Sequence, residues 1–289
     1  MYMIIGSSGY IAQKFIKRLN ERGLDYLSLS RENFDYYDFE KVSKAVLKFS
    51  PKIIINCGGY VGKPNVDECE LNKEETCWGN IELPKVLAKI SYFFDVKLGH
   101  ISSGCIYSGL KEDGSGFSEN DAPNFSFENP PCSFYSGTKA EAEKVIQSIT
   151  DYSYIWRLRI PFDEYNNERN YISKLLNYEK LHKATNSISH VGDFVNACID
   201  SVEKKIPTGI YNVVNGGAVA TERVAEKIKD YLKIDKEFRY WENDEEFYES
   251  TTKTPRSNCV LDNSKIINQG ISIRSAEDAL DDALKNWKP

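Results

Sequence analysis

A tyrosine and a lysine stand four residues apart in the stretch Ser133-Phe-Tyr135-Ser-Gly-Thr-Lys139. On a helix, positions i and i+4 share a face, so both side chains would enter one cleft. An ammonium beside a phenol favours the phenolate and lowers the phenol pKa. The same ammonium can hold the ribose hydroxyls of a nicotinamide dinucleotide. A tyrosine tuned this way donates a proton to a carbonyl oxygen as hydride arrives at carbon. Upstream, Ile101-Ser-Ser103-Gly-Cys105-Ile-Tyr107 ends an apolar run. Ser103, at the end of that strand, can hydrogen-bond the same oxygen. A lone Tyr-x-x-x-Lys arises readily by chance among 18 tyrosines. Its order and spacing behind a strand end and a glycine-rich first turn make it a signal for a carbonyl reductase.

That first turn is Met3-Ile-Ile-Gly6-Ser-Ser8-Gly9-Tyr10-Ile11-Ala12. Glycine permits the tight strand-to-helix turn and lets a pyrophosphate approach the backbone. The helix N-terminus adds free N–H groups and a partial positive charge. Gly6, Ser8, Gly9, Tyr10 and Ile11 are therefore expected around the cofactor, with Ala12 as the third small position. Folds that prefer NAD carry an acid at the end of the second strand. Here that strand reads Leu27-Ser-Leu-Ser30-Arg31, with no carboxylate. Arg31, with Ser30, can pair with a 2′-phosphate, so NADPH is expected over NADH. An ordinary surface arginine is the alternative. The third strand ends in Asn56-Cys57-Gly58-Gly59. These residues are expected to let the adenine and ribose side of the cofactor lie across the strand ends.

Positioning these groups requires alternating strands and helices. Apolar runs predict strands at Tyr2–Ile5, Tyr26–Leu29, Lys52–Cys57, Lys97–Ser102 and Tyr154–Arg159, with a sixth at Gly209–Val214. Helical patterns fall near Ile11–Asn20, Phe39–Phe49, Ile81–Phe93 and Tyr135–Ser148. The fold class is α/β, a Rossmann-type doubly wound parallel sheet with a smaller C-terminal α/β lobe. Residues 1–160, with a return segment at about 184–215, would form the NADP-binding lobe. Residues 161–183 and 216–289 would form the substrate lobe. Gly114–Pro131, rich in Gly, Ser, Asn and Pro, reads as an excursion beside the site.

A chain of 289 residues suits one large domain or two intimately joined lobes. The net charge of −6, with no long basic block, argues against nucleic acid and leaves room for a small cationic pocket. No apolar run approaches a membrane span, and the chain opens on a strand rather than a signal peptide. Seven cysteines without a Cys-x-x-Cys fit free thiols in a reducing cytoplasm. His100, His182 and His190 lack metal-ligand spacing, so no metal is expected.

With these motifs in place, the chain resembles the nucleotide-sugar branch of the extended short-chain dehydrogenase/reductases. It is similar above all to plant-type bifunctional UDP-4-keto-6-deoxy-glucose 3,5-epimerase/4-reductases. More distantly it resembles dTDP-4-dehydrorhamnose reductases and GDP-fucose synthases. The matching pieces are Gly62-Lys-Pro-Asn65-Val-Asp67-Glu-Cys-Glu70, Gly104-Cys-Ile106, Arg169-Asn-Tyr-Ile-Ser-Lys174, Gly209-Ile-Tyr211 and Pro255-Arg256-Ser-Asn258. Two departures are Asn56-Cys-Gly-Gly59, where the family carries NAAG, and Ser103, where the plant enzymes carry threonine.

Cys105 lies two residues past Ser103, and on an extended segment both would face one side. A C4 ketone acidifies the C3 and C5 hydrogens of a sugar. Inversion needs a base on one face of the ring and an acid on the other, and a cysteine beside a cation can be the base. The resemblance gives Lys174 the complementary role. The alternatives are a buried small hydrophobe for Cys105 and a solvated helix lysine for Lys174. Arg256 can bind a diphosphate bidentately, or lie in a surface loop. Asn65, Asp67, Asn80 and Asn258 complete the expected substrate contacts. Asn80 also resembles the family asparagine that positions the lysine through water. His190 reads as structural. The resemblance implies a UDP-sugar substrate, conversion to UDP-L-rhamnose, and a homodimer through helices Ile81–Phe93 and Tyr135–Ser148, with Ala142, Val145 and Ile149 on the contact face. Two other readings remain at this point. One is a reductase of dTDP-4-keto-L-rhamnose without epimerase activity; the other is a non-catalytic Rossmann-fold regulatory subunit.

Overall fold

The computed structural model describes residues 1–252 and 254–289. Six strands form one sheet: β1 (Tyr2–Ile5), β2 (Tyr26–Leu29), β3 (Ile53–Asn56), β4 (Lys97–Ser103), β5 (Ser153–Leu158) and β6 (Gly209–Asn212). Their order is β6-β5-β4-β3-β1-β2, and every neighbouring pair is parallel. The strands β1 and β3 are buried throughout, as continuous apolar runs require in a sheet covered on both faces. Helices Tyr10–Glu21 and Val191–Glu203 cover one face, where Phe15, Leu19, Phe194 and Val195 pack with Trp156. Helices Phe39–Phe49, Leu83–Phe94 and Phe134–Ile149 cover the other through Val42, Leu87, Ile90 and Ile146. The chain thus adopts the expected doubly wound parallel α/β fold. The strand order reverses beside β1 and β3, which opens a crevice at their carboxyl ends.

A further apolar cluster lies beyond the sheet. Phe162, Ile172, Leu175, Val224, Ile228, Leu280 and Leu284 pack together from helices Tyr171–Asn177, Thr221–Leu232 and Ala276–Lys285. Two-residue strand pairs brace it: Lys180–Leu181 with Arg239–Tyr240, and Thr185–Asn186 with Val219–Ala220. Segments this short carry no alternation that a sequence pattern can register.

Most expected element ends move by a residue or two. The helix expected from Ile81 instead begins with a π-helical turn, Trp78–Glu82, before its α-helical part. The segment Gly114–Pro131 folds back against residues 258–262. Phe117 N–H donates to the Val260 carbonyl at 2.8 Å, and Asp262 N–H to the Phe117 carbonyl at 2.9 Å. A Cβ at Gly137 would lie 2.2 Å from the Phe127 ring, so glycine in the helix Phe134–Ile149 admits the loop against it. Among the described residues, no helix is long and apolar enough to cross a membrane.

Candidate active site

A cleft of about 1290 Å³ opens at the carboxyl ends of the central strands. On its cofactor side, Gly6 has φ +74°, and a Cβ there would lie 2.7 Å from the Gly58 nitrogen. Only glycine lets the turns after β1 and β3 approach so closely. Gly9 caps the helix Tyr10–Glu21 without a side-chain hydrogen bond, leaving first-turn N–H groups uncapped. Ser8, Gly9, Tyr10, Ile11, Cys57 and Gly58 line this part of the cleft, with exposed Arg31 at its edge. This glycine cradle, helix N-terminus and arginine fit a phosphorylated dinucleotide.

Asn56 does not join them. It is fully buried beneath the turn, where its Oδ1 accepts from Gly58 N–H at 3.0 Å and its Nδ2 lies 3.1 Å from His100 Nδ1. It shapes the Cys57-Gly58 turn from below rather than facing the cleft.

The sheet-borne wall carries Ser103, Cys105, Tyr135 and Lys139 together. Ser133 caps the helix Phe134–Ile149 by accepting from Ser136 N–H at 3.0 Å, and Glu70 accepts from Phe134 N–H at 2.7 Å. Tyr135 and Lys139 follow on one face. The expected extended path from Ser103 to Cys105 is not what the chain does. Gly104–Ile106 is a 3-10 turn, and Ser103 caps it by accepting from Cys105 N–H at 3.2 Å. The two side chains still share the cleft, brought together by the turn instead of by strand alternation. Burial pushes the Cys105 thiol up, while the hydroxyls of Ser103 and Ser136, and more weakly Arg159 and Lys139, pull it down.

Burial also pushes the Tyr135 phenol well up; Ser103 and Arg159 oppose the shift. The expected route, a lysine ammonium lowering the phenol, is not the arrangement found. Lys139 Nζ instead donates to the Ile101 carbonyl at 2.9 Å and lies 3.3 Å from His100 Nε2. Burial brings Lys139 down to about 8.

Behind this wall lies a buried ion pair. The Arg157 guanidinium makes three hydrogen bonds to Glu143, the shortest 2.7 Å, and donates to Tyr107 Oη at 3.0 Å. Ser102 also donates to Glu143. Arg159, equally buried, reaches Asn186 Oδ1 at 2.7 Å and the Ser257 carbonyl, while its Nε finds no partner among the described residues.

The facing wall is cationic. Lys174 sits half-buried on the helix Tyr171–Asn177; burial and the neighbouring Arg169 and Arg256 lower its pKa. Arg256 donates to Asp67 at 2.6 Å and lies 3.5 Å from Asn65 Oδ1, so these three expected contacts form one cluster. Arg169 ties in through the Gly62 carbonyl at 3.0 Å. Asn258 borders the cleft, and its Oδ1 accepts from Asn186 at 3.2 Å. Asn80 differs from its expected role. Its amide clamps the Tyr60 backbone at 2.8 and 2.9 Å and donates to Thr138 at 3.2 Å, so its polar atoms serve the loop and the helix rather than a sugar. At the far end, Tyr178, Trp241 and Phe247 offer aromatic faces on which a base can stack. His190 caps the helix Val191–Glu203 through its Nδ1.

Sequence reasoning missed His100, Arg159 and the Arg157–Glu143 pair. His100 and Arg157 lie within strands, and Arg159 directly after one. Their partners come from a neighbouring strand, from the helix Phe134–Ile149 and from Asn186 and Ser257, all distant in sequence.

The turn and the sheet order define a Rossmann-type α/β protein, and the Ser–Tyr–Lys wall is the arrangement of the reductase family. The chain belongs to the family described as RmlD substrate binding domain, which it matches over residues 1–288. An Arabidopsis thaliana bifunctional dTDP-4-dehydrorhamnose 3,5-epimerase/dTDP-4-dehydrorhamnose reductase is 30% identical over 96% of this chain and 90% of its own length. Of longer trifunctional Arabidopsis relatives, the chain spans 41%. Among solved structures, the L780 UDP-rhamnose synthase of Acanthamoeba polyphaga mimivirus superposes with TM-score 0.89 at 23% identity, over 99% of this chain and 98% of that one. A Bacillus anthracis dTDP-4-dehydrorhamnose reductase in complex with NADP gives 0.80 at 19% identity, over 99% and 96%.

Proposed function

We propose that this protein is an NADPH-dependent nucleotide-sugar 4-reductase that also epimerises its substrate at C3 and C5, converting UDP-4-keto-6-deoxy-D-glucose to UDP-L-rhamnose. The observation that carries the reading is Cys105, whose thiol meets the Ser103 and Ser136 hydroxyls in a cleft it shares with Tyr135 and Lys174. A reductase alone needs no second acid/base pair.

In this account Ser103 and Tyr135 hold the C4 oxygen. Cys105, as thiolate, removes the hydrogen from C3 or C5, and the electron pair moves onto the C4 oxygen as an enolate. Lys174 returns a proton to the carbon from the other face. NADPH, when bound, supplies hydride to C4. Tyr135 gives its proton to the C4 oxygen, and Lys139 orients the ribose. Gly6, Ser8, Gly9, Tyr10, Ile11 and Gly58 would hold the dinucleotide, and Arg31 its 2′-phosphate. Arg256 would meet the sugar diphosphate after exchanging its bond to Asp67, with the base against Tyr178 or Trp241. We also take the chain as two lobes, residues 1–160 with 184–215 and the remainder. A cytoplasmic homodimer is part of the same proposal. The exposed Tyr92 and Phe93 on the helix Leu83–Phe94 suit that contact better than Ala142, which lies in the protein's own core.

One observation favours a narrower reading. Burial pushes the Cys105 thiol up, and a neutral thiol is a poor base. That favours a reductase acting on a 4-keto-L-sugar already epimerised elsewhere. Incubation with NADPH and UDP- or dTDP-4-keto-6-deoxy-glucose in deuterated water separates the two. The proposal expects a rhamnose product with deuterium at C3 and C5. NADPH consumption without deuterium at either carbon supports the narrower reading.

A further inference from the structure

We propose that His100 is a positioning residue that favours Lys139 as a neutral amine in the free protein at alkaline pH, so that cofactor binding there takes up a proton at Lys139 Nζ. This rests on reading the cleft as a dinucleotide site.

The argument is a count of donors. Asn56 and His100 are direct register partners on the parallel strands β3 and β4, and both are fully buried. Gly58 N–H donates to Asn56 Oδ1 at 3.0 Å, which fixes which end of the amide is oxygen. The Asn56 Nδ2 then faces His100 Nδ1 at 3.1 Å and must donate to it. His100 Nδ1 is therefore an acceptor, and a neutral imidazole carries its proton on Nε2. That Nε2–H points at Lys139 Nζ, 3.3 Å away. An ammonium has three donors and no acceptor, so it would meet the imidazole donor to donor. A neutral amine accepts from Nε2–H and still donates to the Ile101 carbonyl at 2.9 Å. The chain then runs in one sense, from Gly58 through Asn56, His100 and Lys139 to Ile101.

The surrounding groups do not restore the charge. Glu143 lies one turn along the helix, but Arg157 and Ser102 occupy its carboxylate. Burial pushes both Cys105 and Tyr135 up, so neither offers Lys139 a standing negative charge in the free protein. Burial holds His100 well below its ordinary value, so it does not become a cation beside Lys139. Lys139 itself is lowered to about 8. A dinucleotide brings negative charge and ribose hydroxyls that accept. The amine gains a proton and swings its donors from His100 toward the ribose.

Two measurements decide this. The first needs no cofactor: nitrogen-15 NMR of labelled histidine in the full chain, with His100 assigned by its loss in His100→Asn. The expected result at pH 9, where Lys139 is neutral, is the uncharged Nε2–H tautomer; an Nδ1–H tautomer there overturns the proposal. The second is calorimetry of NADPH binding at pH 8.5 in buffers of different ionisation enthalpy, where a 2′-phosphate with pKa near ~6 is fully ionised. Wild type should take up most of one proton. Its Kd should weaken about tenfold from pH 7 to 9, as a group titrating near 8 requires. In His100→Asn the amide oxygen can accept from an ammonium, so uptake should fall toward zero and the pH dependence flatten. Lys139→Met should show no uptake. Heat independent of buffer in wild type, or unchanged uptake in His100→Asn, overturns the proposal. Failure of NADPH to bind at any pH would instead refute the dinucleotide reading, and the tautomer still decides the role of His100.

Discussion

The wall carrying Ser103, Tyr135 and Lys139 grows from β4 and the helix Phe134–Ile149, while the wall carrying Asn65, Asp67, Lys174 and Arg256 grows from loops and a seven-residue helix. On the first, nearly every polar group is buried and bound: Lys139 to Ile101 and His100, Ser102 to Glu143, Glu143 to Arg157. On the second, Arg169, Lys174 and Arg256 crowd one region, with Arg256 held by Asp67 in an ion pair. A rigid wall suits proton and hydride transfer, where small displacements cost rate. A cationic wall with an exchangeable pair suits an anionic substrate that must displace something to bind. Under the proposed function, the contrast divides the labour: chemistry on the sheet side, recognition on the loop side.

Changes on the sheet side should therefore act on kcat and on stability. Tyr135→Phe removes the proposed proton donor and should lower 4-keto reduction by about 10²–10⁴-fold, the usual worth of a general acid. NADPH binding, followed by fluorescence, should stay within a few-fold. Reduction at the wild-type rate would show that the phenol is not the donor. Arg157→Met leaves the Glu143 carboxylate buried without its partner. The expected loss is about 3–5 kcal/mol of stability in urea unfolding at pH 7. A loss below about 1 kcal/mol, the worth of an exposed pair, would mean that this wall is not braced as described.

The sequence made the sheet legible because β1 and β3 are short, almost wholly apolar runs, and β1 and β2 fall at their expected limits. The Tyr135–Lys139 spacing was legible because helical periodicity is local. What failed was whatever depended on neighbours distant in sequence. Asn56 looked like a cofactor contact because it precedes two glycines, yet cross-strand register turns it to His100. Asn80 looked like a substrate contact, yet the π-helical turn aims it at Tyr60. The 3-10 turn after Ser103 was invisible because Gly104-Cys-Ile106 carries no turn signal beyond one glycine. Lys139 was expected to tune Tyr135, but the Ile101 carbonyl and His100 take its nitrogen, and nothing in a strand-interior histidine announces that.

At the edge of the cleft the comparison predicts a smaller effect. Arg31 is exposed and lies outside both walls, so it should affect only which cofactor binds. Arg31→Ala should weaken NADPH binding about tenfold, the worth of one charge-assisted contact, and leave NADH binding almost unchanged. Equal losses for both cofactors would remove Arg31 from the 2′-phosphate.

The division of labour has one exception that carries the functional proposal: Cys105 sits on the reducing wall but would act with Lys174 on the other. The most direct test is Cys105→Ala, assayed in deuterated water with UDP-4-keto-6-deoxy-glucose and, separately, with the epimerised 4-keto-L-sugar. The account predicts that deuterium incorporation at C3 and C5 disappears while NADPH oxidation with the epimerised sugar continues. Normal deuterium incorporation with reduction lost would contradict it, leaving the cysteine as a support for the reducing wall and the protein as a reductase alone.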